Sequence, residues 1–192
     1  MRTIEPIARF DLAFSLFCLD HRFNAQVARL SRLISRSGDG PLYACLAAFV
    51  WCVDERVGEA FLAVALLAFA VELPIYWVAK NSFKRRRPQE LCQYVQPFIT
   101  PSDRYSLPSG HTAAAFLMAT VIGHFYPEFF FACLIWATLI GVSRVLLGVH
   151  FLTDVVIGAV LGVLCAMFAL NWVTANYITS KLVVLDYVEL LA

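Results

Sequence analysis

Charge is scarce in this chain. Only 15% of its 192 residues are Asp, Glu, Lys or Arg, where a soluble domain carries about 25%. That shortage argues against a soluble globular protein. The net charge of +1 supplies no global field to recruit nucleic acid. The six cysteines (Cys18, Cys45, Cys52, Cys92, Cys133 and Cys165) show no metal-ligand spacing. They read as buried free thiols, small hydrophobes within apolar runs. No internal repeat or low-complexity segment appears. No cleavable leader is expected either, since Glu5, Arg9 and Asp11 interrupt the first apolar stretch and no small-residue cleavage site follows.

Hydrophobic side chains are abundant instead, at 60% of the chain, with a mean hydropathy of +0.72. The expected fold is all-α, a polytopic transmembrane helix bundle of five to six spans preceded by N-terminal interfacial amphipathic helices. Residues 1–192 form a single membrane-embedded domain. Within it, 1–40 is the interfacial region, 41–178 the transmembrane core and 80–107 a polar loop at the site. Residues 4–19 hold too many charges for a clean crossing, which needs about 20 apolar residues. In residues 23–36, Val27, Leu30, Leu33 and Ile34 make an apolar stripe opposite Arg29, Arg32 and Arg36. Such a helix lies on a membrane surface or packs on the bundle with solvated arginines. Five spans follow, near 42–53, 60–79, 109–126, 128–147 and 151–176. Glu72 falls inside the second, where a carboxyl usually faces the bundle interior, hydrogen-bonded or paired. Gly158 and Gly162 stand at the spacing that lets helices approach closely.

Pro108-Ser109-Gly110-His111 marks a helix entrance, with Ser109 as the cap. Free backbone N–H groups and the positive dipole end there suit a phosphate. The alternation of spans then brings three clusters to one membrane face: Lys80 and Arg87, the entrance at His111, and the segment from Ser143 to Asp154. Lys80, Arg87 and Arg144 supply fixed positive charge, and Arg can fork onto two phosphate oxygens. Ser109, Gly110 and Ser143 add neutral donors. Together they suit a phosphoryl-transfer transition state. His150 and Asp154 are i,i+4, facing neighbours if the turn between them is helical. Asp154 can then orient His150 as a nucleophile while His111 serves as general acid. Arg85 and Arg86 read as a solvated or headgroup-facing pair. His21 and His124 match no cluster and read as structural.

Lys80-x6-Arg87-Pro88, Pro108-Ser109-Gly110-His111 and Ser143-Arg144-x5-His150-x3-Asp154 together resemble the three-part signature of the type-2 phosphatidic acid phosphatase and vanadium haloperoxidase superfamily. The resemblance covers about residues 80–154 and fits the membrane branch. It implies a metal-independent lipid phosphatase that uses no cofactor. His150 would be the phosphohistidine-forming nucleophile, Asp154 its orienting partner and His111 the acid for the leaving group. Lys80, Arg87, Ser109, Gly110, Ser143 and Arg144 would hold the phosphate. Asp154 is the only acidic residue within the motifs, so no carboxylate cluster suggests a two-metal site.

The expected substrate is a phosphomonoester or diphosphate of a lipid drawn from the bilayer. Phosphatidylglycerophosphate, phosphatidic acid, undecaprenyl diphosphate and lipid A types all fit. The membrane is the other expected partner, nucleic acid is not, and the oligomeric state stays open. A lipid phosphotransferase with the same site and a non-catalytic lipid-phosphate binder are the competing readings. A vanadium-dependent haloperoxidase fits much less well, since by the same resemblance that branch is soluble and larger, and this chain is not. The resemblance implies a bacterial inner membrane with the site on the periplasmic or outer face. Charge opposes this, because thirteen of the 15 Lys and Arg residues fall on the motif side, which the positive-inside rule would turn to the cytoplasm.

Overall fold

The computed structural model describes residues 5–19, 24–93, 95–101 and 103–190, with side chains as far as residue 176 apart from those of Glu5 and Asn24. His21 and the tail beyond residue 176 thus lie outside the side chains described. Among the described residues eight α-helices run in order: α1 (Glu5–Leu19), α2 (Asn24–Arg36), α3 (Gly40–Val53), α4 (Gly58–Phe83), α5 (Pro88–Leu91), α6 (Gly110–Phe125), α7 (Phe130–Leu146) and α8 (Leu152–Leu190). Among the described residues no strand occurs.

Three helices among the described residues are long and apolar enough to cross a bilayer: α4, α7 with the 3-10 turn leading into it, and α8. Their outer faces carry large apolar side chains, such as Leu66, Trp77, Phe131, Ile135 and Leu164, each more than half exposed. Water would penalise such a surface, whereas lipid matches it. The protein is an integral membrane protein. Helices α3 and α6, of 14 and 16 residues, are shorter than a crossing requires.

Helix α6 is the centre of the bundle, in contact with α3, α4, α7 and α8. Its Thr112, Ala113, Ala115, Leu117, Met118, Ala119 and Val121 are all buried. Small side chains permit that density, and α8 meets α6 closest. A methyl group on Gly162 would lie 2.1 Å from the Ala113 carbonyl oxygen, and one on Gly158 would lie 2.6 Å from that of Ser109. Both obstacles are backbone, so nothing can swing aside. Gly162→Ala is therefore expected to push the two helices apart and lower the melting temperature in detergent by about 5 °C, the scale of overpacking a dense core. Gly40→Ala is the control, since a methyl there meets nothing within 4 Å. Equal melting of the two variants would show that the contact carries no strain.

The N-terminal helices are tied into the bundle. Helix α2 packs on α7 with Ala28, Ser31 and Ser35 buried, while Leu30 and Leu33 stay exposed. Its small, polar face thus meets protein and its leucines face outward. Arg32 is not solvated as expected but donates to the Phe98 carbonyl at 2.7 Å. Helix α1 turns Phe10 and Phe17 outward and buries Asp11 completely. All six cysteines are free, yet only Cys165 is fully buried, and Cys45 and Cys52 are exposed on α3. The expected polar loop also starts later than residue 80. Helix α4 runs on through Lys80 to Phe83 and ends with Lys84 in the left-handed region at φ 47°, a common helix stop.

Candidate active site

The motif-side end of the bundle gathers the residues of the three motifs. Lys80, in the last turn of α4, is 6% exposed, and Arg87, just before α5, is 2% exposed. A charge buried this deeply needs partners, and Asp103 supplies them. Its carboxylate pairs with Lys80 Nζ at 2.6 Å and with the Arg87 guanidinium. The Tyr76 hydroxyl also donates to Asp103 at 2.6 Å and accepts from Lys80. Burial alone would discourage ionisation of Asp103, but the hydrogen bonds from Lys80 and Tyr76 prevail and hold its carboxyl below the usual carboxylate range. Arg87 further donates to the Val149 carbonyl at 2.5 Å and to the Tyr105 carbonyl at 3.0 Å, fastening the loop before α6 to the turn before α8.

Ser109 is the N-cap residue of α6, but its hydroxyl makes no capping bond. It pairs instead with Thr112 Oγ1 at 2.9 Å, while its backbone N–H donates to the Asp154 carbonyl at 3.0 Å. Ser143 donates to the Ile140 carbonyl at 2.6 Å. Both serines expected as neutral donors are therefore already engaged, because a hydroxyl near helical backbone finds a local acceptor. His111, in the first turn of α6, holds Asp39 at 3.0 Å through Nε2. Arg144 is 4% exposed and donates to the Ser35 hydroxyl at 2.7 Å, leaving its Nε without a partner.

His150 precedes α8 rather than lying in it. The chain reaches it through a sharp turn at Gly148, where φ is +71°, a conformation that suits glycine. His150 Nδ1 and Asp154 Oδ2 are 3.6 Å apart, and Nδ1 has no hydrogen-bond partner. The two are thus close but not bonded, since their i,i+4 spacing spans a turn and the start of a helix, not one helical face. Asp154 Oδ2 accepts the Phe151 backbone N–H at 2.8 Å. Its other oxygen accepts from Arg85 at 2.6 Å. Burial pushes the His150 imidazole down to about 4; the neighbouring Asp154 carboxylate opposes that fall and Arg144 adds to it.

Several contributors went unforeseen. Arg85 is not solvated: it bridges Asp154 and Asp11, the latter at 2.5 Å, and lies over the Phe151 ring at 4.4 Å. Arg86 is exposed, as expected. Asp11, Ser35, Asp39, Tyr76 and Asp103 also join the cluster, and none lies inside a motif. Glu72 is buried, yet it has neither the hydrogen bond nor the ion pair expected of it among the described residues. His124 sits exposed at the far end of α6, edge-on to Phe125.

A cavity of about 470 Å³ opens beside this cluster between α3 and α4, with His111, Arg144, His150, Tyr76, Asp103 and Gly110 in its wall. A larger one, about 1180 Å³, lies on the other side of α3 and contains none of the motif residues. Convergent polar groups mark a binding site better than volume does, so the smaller cavity is the candidate.

The fold and this cluster define an integral membrane helix bundle with a cationic, histidine-bearing site at one end. Residues 57–178 match the PAP2 superfamily, more than half of the chain, and the protein belongs to that family. A probable lipid phosphate phosphatase beta from Arabidopsis thaliana is 31% identical over 146 residues, covering 59% of this chain and 66% of the relative. The crystal structure of Aquifex aeolicus LpxE is similar with a TM-score of 0.75 and 27% identity, over 84% of this chain and 95% of that one. A transmembrane PAP2 type phosphatidylglycerolphosphate phosphatase from Bacillus subtilis shares the fold at a TM-score of 0.70 and 24% identity, over 87% and 86% of the two chains. The chain spans roughly half to two thirds of the length of three curated relatives that it matches.

Proposed function

We propose that the protein is a metal-independent lipid phosphatase acting through a phosphohistidine. The observation that carries this reading is the gathering of His150, His111, Arg144 and Asp103 around one cavity that runs into the apolar bundle, with Lys80 and Arg87 held directly behind Asp103. Lys80, Arg87 and Arg144 take the phosphoryl oxygens, with the phosphate displacing Asp103 from the first two. Gly110 N–H adds a neutral donor, and Ser109 and Ser143 join after a rotation of their hydroxyls. His150, neutral above about pH 4, attacks phosphorus, so that a P–N bond forms as the P–O bond to the lipid breaks. Asp154 stabilises the positive charge that develops on the imidazole. His111 gives its proton to the leaving oxygen and recovers one from the water that cleaves the P–N bond. Three fixed cations supply the charge neutralisation that a metal provides elsewhere.

The substrate is a phosphomonoester or diphosphate of a membrane lipid, entering sideways between α3 and α4. Phosphate release by purified protein in detergent with EDTA present tests this, across phosphatidylglycerophosphate, phosphatidic acid, undecaprenyl diphosphate and phosphorylated lipid A. Release from at least one is expected. No release from any of them by folded protein would sink the hydrolase reading in favour of phosphotransfer or simple binding.

We place the site on the outer face of a bacterial inner membrane. The charge count that opposes this loses weight here, because Lys80, Arg85 and Arg87 are each paired with a carboxylate and are not free to read the membrane potential. In a variant whose single cysteine is Cys92, an impermeant maleimide is expected to label intact cells. Labelling only after lysis would put the site in the cytoplasm.

A further inference from the structure

Below the phosphate site, the cavity between α3 and α4 holds two polar groups that the mechanism does not use. Glu72, on α4, is 2% exposed and lines the cavity, yet it makes no hydrogen bond or ion pair among the described residues. Tyr43, on α3, is 9% exposed and lines the same cavity, and its hydroxyl is buried without a partner. Buried polar groups are almost always satisfied, and leaving one unmade is costly. The Tyr43 hydroxyl is such a group, and the unpaired Glu72 carboxyl lines the same cavity from the facing helix; together they call for a common partner.

Their depth suggests which partner. Glu72 lies one helical turn before Tyr76, about 6 Å further along α4, and Tyr76 already belongs to the Lys80–Asp103 cluster. The rest of the wall around them is apolar, with Ala44, Ala47, Ala65, Leu66, Phe69 and Leu73. A lipid phosphate seated with phosphorus at His150 and its chain along this wall would bring the atoms joining headgroup to chain beside Glu72 and Tyr43.

We infer that Glu72 and Tyr43 form a second polar subsite that reads the ester, amide or hydroxyl at the headgroup–chain junction of an acylated lipid phosphate. The inference rests on the lipid phosphatase reading above and narrows its substrate class. An ester carbonyl accepts from the Tyr43 hydroxyl or from a protonated Glu72 carboxyl, and where the junction carries a hydroxyl or amide N–H that group donates to Glu72. A polyprenyl chain has only hydrocarbon at that depth and would leave both groups unpaired. Discrimination against it is expected to be roughly 10- to 100-fold, the scale set by unmade buried hydrogen bonds.

Binding to the His150→Ala protein, in which turnover is blocked, tests this by native mass spectrometry in detergent. The probes are a diacylglycerol phosphate, its dialkyl ether analogue and a polyprenyl phosphate of similar carbon count. The diacyl lipid is expected to bind about 10- to 100-fold more tightly than the polyprenyl one, with the ether between them. Adding Glu72→Leu and Tyr43→Phe together is expected to shrink the preference to within about threefold, while Glu72→Gln, which keeps a donor and an acceptor, retains it. If the double replacement does not fold, Tyr43→Phe alone carries the comparison. A parent without preference, or a double replacement that keeps it, overturns the subsite and leaves the phosphatase reading standing. Preference unchanged with a raised melting temperature would show that the pair holds only a water, and would equally overturn it. A protein that binds none of the three lipids removes the phosphatase reading, and the subsite with it.

Discussion

Replacing His150 by alanine is expected to cut phosphate release by about 10⁴-fold or more, because no neighbouring group can take over the attack on phosphorus. Among the described residues His150 is the one imidazole placed beside a buried carboxylate, with Asp154 Oδ2 at 3.6 Å and that carboxylate anchored by Arg85 and the Phe151 N–H. His111 faces Asp39 from another helix and has no such support. The variant also carries a signature that separates loss of a nucleophile from loss of fold. His150 titrates near 6.5 when unfolded and is pushed to about 4 by burial in the native protein. Between those values the unfolded state binds more protons. The stability tied to keeping His150 neutral is therefore complete above about pH 6.5 and declines as pH falls towards 4. In His150→Ala that part of the decline disappears. Thermal melts from pH 4 to 7 should show a shallower slope for the variant, alongside its lost activity in a phosphate-release assay. Residual activity within 100-fold of the parent would mean that another group is the nucleophile.

How much of this was legible from the sequence depends on the range of the interaction concerned. Hydropathy is local, so the apolar helices appeared in the sequence near their observed places, and Gly158 and Gly162 advertised the contact that α8 makes with α6. The motifs are local too, and the alternation of helices brings them to one end, where the structure also gathers them. What the sequence hid are pairings between distant segments. Asp11 and Arg85 are 74 residues apart, and nothing in either neighbourhood reveals the other. Arg85 looked like one more surface cation in a basic run because its acceptors, Asp11 on α1 and Thr153 and Asp154 on α8, all lie far away in sequence. Asp103 stood outside the motifs, so its hold on Lys80 and Arg87 had no local signal. Glu72 shows the reverse failure. The rule that intramembrane carboxyls are paired is sound on average, but pairing is a property of the facing helices, and here they offer a cavity.

Arg87→Lys keeps the positive charge and is nevertheless expected to lower kcat/KM by about 10²- to 10³-fold, the scale for breaking a buried, hydrogen-bonded charge network. The guanidinium is 2% exposed and uses all three of its nitrogens. Nε donates to the Asp103 backbone carbonyl at 3.1 Å and Nη1 to the Val149 carbonyl at 2.5 Å, while Nη2 serves both the Asp103 carboxylate and the Tyr105 carbonyl. These acceptors lie on two different loops, one leading into α6 and His111, the other leading into His150. A lysine has a single nitrogen and cannot span them. It would leave buried carbonyls unpaired and let the two histidine-bearing segments drift relative to each other, and shifts of about 1 Å are enough to cost 100-fold in rate. Because phosphate is still attracted by an ammonium, the loss is expected mainly in kcat, with KM rising less. Arg86→Lys is the matched control: Arg86 is exposed and is expected to stay within twofold of the parent. Steady-state kinetics of the two variants on the best lipid of the panel decide the matter. A fall confined to KM would reduce Arg87 to a phosphate attractor, whereas a fall in kcat marks it as the clamp that sets His111 and His150 in register.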